Sequence, residues 1–315
     1  MRNNTFVMQI KCPVCFSQNS ALFIKIKFFT VKSLFYIYKC KDCSLLFNFP
    51  TYSNRDLKRL YGKSYYFFLR DEISELKRVS LQYKRVFSNL ELSPNSKIIE
   101  IGSGRGYLLY ILKQMGYSAK GVEISKEACL YAQRKFNVEV FNGTLEEYAK
   151  LTDERYDLIL LIDLIEHIKD PHSFMNSLSL ISKKGTKLVI DTPNSESRDI
   201  EIYKEKFIGF NPYHIRLYSL NSLTHLLRAY NFSILNYFYY GSGRIDIFKE
   251  RFRNLLYLFK VNTLFDKFKI LLRGAFKNRE ELIKEILFEI KNYDKKSLLE
   301  NLKGDANILI YAYKE

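Results

Sequence analysis

The chain has 315 residues, enough for one large domain with a small module or for two domains, and its hydrophobic content of 47% excludes wholesale disorder. No apolar run approaches the length of a spanning helix, and the opening MRNNTFVMQIKCPVC lacks an export signal, so a cytoplasmic chain is expected. Fifty Lys and Arg against 34 Asp and Glu leave a net charge of +16, which suits nucleic acid, an anionic membrane face, phosphorylated substrates or merely a lysine-rich background.

The first feature along the chain is a pair of cysteine knuckles, C-P-V-C at Cys12 and Cys15 and C-K-D-C at Cys40 and Cys43. Two such knuckles in a chain without an export signal predict a tetrahedral Zn²⁺ site, closed by four thiolates and therefore structural. The strand-like segment between them is too small to fold on buried area alone, so metal binding would supply its folding energy. Cys129 stands apart on a predicted helix and reads as a small core residue.

Residues 97–101, KIIEI, predict a buried strand, followed by Gly102, Ser103, Gly104, Arg105 and Gly106. Residues 107–115 then predict a helix stopped by Gly116. A glycine turn between strand and helix lets backbone approach a ligand and aims free N–H groups at it. The next apolar run, AKGVEI, ends at Glu123, where a carboxylate at a strand tip can accept both ribose hydroxyls of a nucleoside. The alternating glycines depart from G-x-G-x-x-G, whose last glycine position holds Tyr107 here. Glu100, two residues before the turn, suits a cationic ligand bearing an amino group and a sulfonium better than a pyrophosphate.

E-I-G-S-G-R-G with the downstream G-V-E-I resembles the first motif and ribose acid of the class I S-adenosylmethionine-dependent methyltransferases. The likeness continues through FNGTLEEY (141–148), YDLILLIDLIEHIKDP (156–171), KKGTKLVIDTPN (183–194) and NPYHIRLYSLNSLTHLLRAYNFSIL (211–235), in the order of the ubiquinone-biosynthesis-like branch. CKDCSLLFNFP leading into LYGKSYY also resembles the start of a zinc-ribbon group of these enzymes, with Ser44 where the group has glycine. The resemblance implies an α/β fold: a doubly wound, seven-stranded, mostly parallel sheet whose last strand is antiparallel. An N-terminal zinc ribbon precedes that sheet, and a helical insertion precedes its last strand. It divides the chain into a ribbon at 1–50, a methyltransferase core at 51–242, the insertion at 243–304 and the final strand at 305–315. It implies S-adenosylmethionine as cofactor, lined by Glu100, Gly102, Ser103, Gly104, Gly106, Glu123 and Ile124, with Gly143, Thr144 and Leu145 near the base and Ile162 closing the fourth strand.

Methyl transfer from a sulfonium is an in-line displacement that needs alignment and, for a hydroxyl acceptor, a base. The candidates are Asp163 after the fourth strand, His167 one turn on, and Tyr213 and His214 in the N-P-Y-H segment. Zinc-ribbon sugar C-methyltransferases often read Y-H-E-H where this chain has Tyr213, His214, Ile215 and Arg216, a departure that favours O- or N-methylation. Arg216 is a candidate partner for an acidic group of the acceptor.

Residues 248–276 set Phe248, Phe252, Leu255, Phe259 and Phe268 at helical spacing among Lys and Arg, as a cap over the acceptor pocket or a helix lying on the inner membrane face. Residues 278–303 predict a charged helical pair closing the insertion. The leading expectation is an enzyme methylating a sugar, a glycolipid precursor or a similar small acceptor. RNA methylation aided by the basic surface, and a non-catalytic cofactor-binding scaffold, are the alternatives.

Overall fold

The computed structural model of the chain describes residues 10–27, 34–53, 72–242, 279–300 and 302–315. The stripe expected at 248–276 lies outside them, and no helix among the described residues is long and apolar enough to cross a membrane.

The N-terminal strands β1 (Ser20–Lys27), β2 (Leu34–Cys40) and β3 (Leu46–Asn48) form an antiparallel ribbon. A two-residue strand from far along the chain, β9 (Arg216–Leu217), completes it as a fourth strand, in the order β1-β2-β3-β9. Nothing local in the sequence pointed to that last pairing.

Helix α1 (Glu72–Ser88) buries Leu76, Val79, Tyr83, Val86 and Phe87, spaced three and four apart as one apolar face requires. The larger sheet then builds up as β4 (Lys97–Ile101), α2 (Tyr107–Gln114), β5 (Ser118–Glu123), α3 (Lys126–Phe136), β6 (Glu139–Asn142), α4 (Leu145–Leu151) and β7 (Tyr156–Ile162). It continues through α5 (Pro171–Leu180), β8 (Ser182–Pro193), α6 (Arg198–Tyr203), then α7 (Leu220–Arg228) and β10 (Phe232–Tyr240). Helices α8 (Arg279–Lys291) and α9 (Lys295–Glu300) pack on α1 and lead into β11 (Asn307–Lys314).

The seven strands lie in the order β10-β11-β8-β7-β4-β5-β6. Neighbours from β8 to β6 pair in parallel, while β11 runs antiparallel to both flanking strands, with Ile310 opposite Ile190 on one side and Tyr237 on the other. Strands covered on both faces need continuous apolar runs, and Leu158–Leu161 and Leu188–Ile190 are fully buried as that predicts. The chain order reverses at β4, whose neighbours β5 and β7 lead away on opposite sides, so the ligand crevice opens at the carboxyl ends of these strands.

Helix starts follow their caps. Ser125 receives the Ala128 N–H, Thr144 and Glu147 form a reciprocal capping box, and Asp170 caps α5 with Pro171 at its first position. Cys129 is buried on α3, as expected.

Candidate active site

At the end of β4 the chain turns through Gly102, Ser103 and Gly104. The Gly102 and Ser103 N–H groups both donate to the Val122 carbonyl, and the Gly104 N–H donates to Glu123 Oε2 at 2.9 Å. Glu123 Oε1 accepts from the Ser125 N–H at 2.8 Å, so this buried carboxylate braces the glycine turn against the start of α3. Each carboxylate oxygen has a second lone pair, so the brace remains compatible with ribose hydroxyls. The loop after β6 is held to the same tip, because the Gly143 N–H and the Asn142 amide both donate to the Glu123 carbonyl. Thr144 and Leu145 open α4 there, Ile124 is exposed at the rim and Ile162 is buried below.

Three features of this cradle fit S-adenosylmethionine. Glu100 is buried with Oε2 lacking any partner, Ser103 Oγ is likewise unpartnered, and a Cβ built on Gly104 meets nothing within 4 Å. Burial pushes the Glu100 carboxyl up to about 8, with Arg78 opposing and Glu123 adding to the rise. A carboxyl that is neutral alone and ionises beside a cation is matched to an ammonium or sulfonium ligand. Cofactor binding at pH 7 should therefore release close to one proton, and affinity should rise with pH up to about 8 and then level off. Calorimetry in buffers of different ionisation enthalpy measures the release, and Glu100→Gln should abolish it.

On the other side of the β7 tip, Asp163 adopts φ 50 and faces α1, where its carboxylate lies 3.7 Å from the Arg78 guanidinium and 3.3 Å from Gln82 Nε2. The next residues form a 3₁₀ turn, Ile165–His167. His167 Nδ1 lies 2.9 Å from the Tyr213 carbonyl, and His214 Nδ1 lies 2.9 Å from the Gly209 carbonyl. A carbonyl only accepts, so both Nδ1 atoms carry the proton and both Nε2 atoms carry a lone pair. Each Nε2 is 3.9 Å from Oε1 of Glu166, which is fully buried and has no hydrogen-bond partner at that oxygen. Its other oxygen accepts from Thr192 Oγ1 at 2.8 Å. Burial holds the Glu166 carboxyl well above the usual range, lowers His167, and takes His214 down to about 3 with His167 adding to the fall. Burial thus disfavours charge on all three members of the cluster. Its three ligand atoms lie within 4.8 Å of one another, a donor set that can also hold a divalent cation.

Of the predicted base candidates, the structure brings His167 and His214 together, supplies Tyr213 through its backbone carbonyl, and sets Asp163 apart against α1. Arg216, the candidate partner for an acidic acceptor group, is turned into the fold. It is buried, and its guanidinium donates to the carbonyls of Ile168 and Lys169, holding the turn that carries His167. Sequence reasoning missed Glu166, although it adjoins His167 in the quoted motif. It also missed Asp191, whose two oxygens accept from the Tyr240 hydroxyl at 2.7 and 2.8 Å, with Arg85 4.3 Å over the Tyr240 ring.

The four cysteines of the ribbon also converge. Cys12 Sγ is 3.7 Å from Cys43 Sγ and Cys15 Sγ is 3.6 Å from Cys40 Sγ, with all four within 4.8 Å. No disulfide joins them, and tetrahedral Zn–S bonds of ~2.3 Å would place sulfurs ~3.8 Å apart, so the thiols fit Zn²⁺. Phe16 and Ser44, each following the second cysteine of its knuckle, turn the chain at φ 60 and 61.

A cradle with a carboxyl poised for a cation, at the reversal point of a mostly parallel sheet with one antiparallel strand, fits the class of S-adenosylmethionine-dependent methyltransferases. A family model described as "Methyltransferase domain" matches residues 73–237, more than half of the chain, and the chain belongs to that family. It is similar to the ubiquinone biosynthesis O-methyltransferases of Aeromonas salmonicida, 28% identical over 118 residues (36% of this chain, 48% of the relative), and of Aliivibrio fischeri, 26% identical over 147 residues (45% and 62%). The chain thus matches between about half and three-fifths of the length of these relatives. Among solved structures it is similar to an S-adenosylmethionine-dependent methyltransferase from Archaeoglobus fulgidus, with a TM-score of 0.49 and 20% identity over 81% of this chain and 100% of that one. Coclaurine N-methyltransferase bound to N-methylheliamine and S-adenosylhomocysteine gives 0.48 and 17% over 84% and 80%.

Proposed function

We propose that the chain transfers a methyl group from S-adenosylmethionine to a hydroxyl or amino group of a small acceptor, a sugar or glycolipid precursor being the class first expected. The observation that carries this reading is the pair of imidazoles, His167 and His214, whose tautomers turn both Nε2 lone pairs toward Glu166 just beyond the β7 tip. Bound in the cradle, S-adenosylmethionine supplies an electrophilic methyl carbon on sulfur. The protein's share is to align the acceptor oxygen or nitrogen with that carbon and to receive the proton the acceptor loses. His214 is uncharged at pH 7, so its Nε2 lone pair can take the one proton the acceptor loses, 3.9 Å from Glu166 Oε1. The similarity to ubiquinone biosynthesis O-methyltransferases supports an oxygen acceptor.

The test follows label from methyl-tritiated S-adenosylmethionine into fractionated host extract, with Gly104→Arg as control. Label in the lipid or glycan fraction, absent with the variant, is expected; label in RNA would overturn the acceptor class. His214→Ala should slow incorporation by about 10²–10⁴-fold while leaving cofactor affinity unchanged, as loss of a general base does. A loss of cofactor binding would instead show that His214 acts on the fold.

A further inference from the structure

We propose that the cysteine ribbon positions the acceptor loop, residues 208–217: metal held by Cys12, Cys15, Cys40 and Cys43 fixes Asn48 and Tyr52, which in turn place His214, while the hydrogen bonds of the cofactor cradle are made without the ribbon. This rests on the methyltransferase reading above and adds a role for the ribbon that the reaction does not assign.

The second knuckle runs directly into β3, with the Cys40 N–H donating to the Leu45 carbonyl at 2.9 Å. Strand β3 pairs with β9, Leu46 opposite Leu217 and Phe47 opposite Arg216, two residues after His214. The Asn48 N–H donates to the Ile215 carbonyl at 3.1 Å, and the Ile215 N–H donates to the Glu166 carbonyl at 3.0 Å. The residue after His214 is therefore clamped between the ribbon on one side and the Glu166 turn on the other. Tyr52 Oη donates to the Pro212 carbonyl at 2.7 Å, holding the loop from its other end. The knuckle's own carbonyls are used as well: Ser219 Oγ donates to Cys43 at 2.7 Å and Asn221 Nδ2 to Asp42 at 3.0 Å.

Packing repeats the pattern. Phe207 and Phe210, which open the acceptor loop, are buried in a small apolar cluster with Ile26, Leu46 and Leu217, so ribbon strands supply their cover. The cradle's bonds run instead within β4, β5 and the start of α3, from Gly102, Ser103 and Gly104 to Val122 and Glu123. A ribbon that folds on metal thus hydrogen-bonds to the histidine half of the site, whereas it meets the cradle strands only through apolar packing with Ile101 and Val122. Tyr52 and Asn48 are positioning residues: neither belongs to the cradle or the imidazole cluster, and both act through the backbone that carries it.

The test is hydrogen exchange on the full chain before and after zinc removal by chelator, with S-adenosylhomocysteine affinity measured by calorimetry on the same samples. Exchange at residues 208–217 should quicken by about tenfold or more, residues 97–104 and 118–125 should keep their protection, and the Kd should stay within about threefold. Tyr52→Phe keeps the ring and loses only the hydroxyl, so it should retain zinc and S-adenosylhomocysteine affinity yet quicken exchange at 208–217. Unchanged exchange there in Tyr52→Phe and after chelation would overturn the proposal. Unfolding of the whole chain on chelation would overturn the separation of the two halves, and Tyr52→Phe then tests the coupling to the loop. Failure of the methyltransferase reading would show separately, as absent S-adenosylhomocysteine binding in untreated protein.

Discussion

Gly104→Val is expected to abolish S-adenosylmethionine binding, by more than about 100-fold, while the protein stays folded. A Cβ at Gly104 meets no protein atom within 4 Å, so the added side chain projects into the open space proposed for the cofactor. The cost to the fold is conformational, because Gly104 sits at φ 52, where a branched side chain is strained by about 1–3 kcal/mol. Gly106 gives the contrast. Its Cβ would stand 2.7 Å from the Ala132 Cβ and 3.2 Å from Val138, at φ 73, so Gly106→Val collides with packed core and should unfold the chain. Retention of labelled cofactor together with the melting temperature separates the two: Gly104→Val loses the ligand with a shift of a few degrees, and Gly106→Val loses both. Retained binding in a folded Gly104→Val protein would place the cofactor elsewhere.

Cys40→Ala is expected to empty the zinc site and unfold the ribbon. Cys12, Cys40 and Cys43 are fully buried, and with Val14, Leu45 and Phe47 they belong to the same apolar cluster as the strands of the large sheet. Gathering four thiolates at one buried point is favourable only with a cation to neutralise and bind the sulfurs. Structural zinc contributes on the order of 10 kcal/mol to such a module, more than so short a segment gains from its core. Metal analysis should find one zinc per chain in the parent protein and almost none in the variant. Strand signal in circular dichroism should fall, and exchange at residues 34–48 should quicken. A ribbon that stays protected without metal would contradict the zinc assignment.

Much of this architecture could be read locally. The KIIEI strand and the helix that opens at Tyr107 both stand where the local pattern put them. The cysteine knuckles and the glycine turn are equally local, because their residue types and spacing already carry the chemistry. Other features depend on partners remote in sequence. Strand β9 is two residues long and pairs with Leu46 and Phe47, so it leaves no periodicity to detect. Arg216 read as a partner for an acidic acceptor group because a guanidinium matches a carboxylate. Only the carbonyls of Ile168 and Lys169, brought beside it by folding, explain its burial. Glu123 was expected at a ribose and also braces Gly104, a bond that depends on how β5 abuts the glycine turn. Glu166 drew no attention in a chain of 34 acids until its unpartnered oxygen appeared between two imidazoles.

The central claim is that the Gly102–Gly106 turn, Glu100 and Glu123 hold S-adenosylmethionine, and titration calorimetry with S-adenosylmethionine and S-adenosylhomocysteine tests it most directly. One site per chain is predicted for both ligands, with proton release on S-adenosylmethionine binding that disappears in Glu100→Gln. Absence of binding heat for both ligands in folded, zinc-loaded protein would contradict the account.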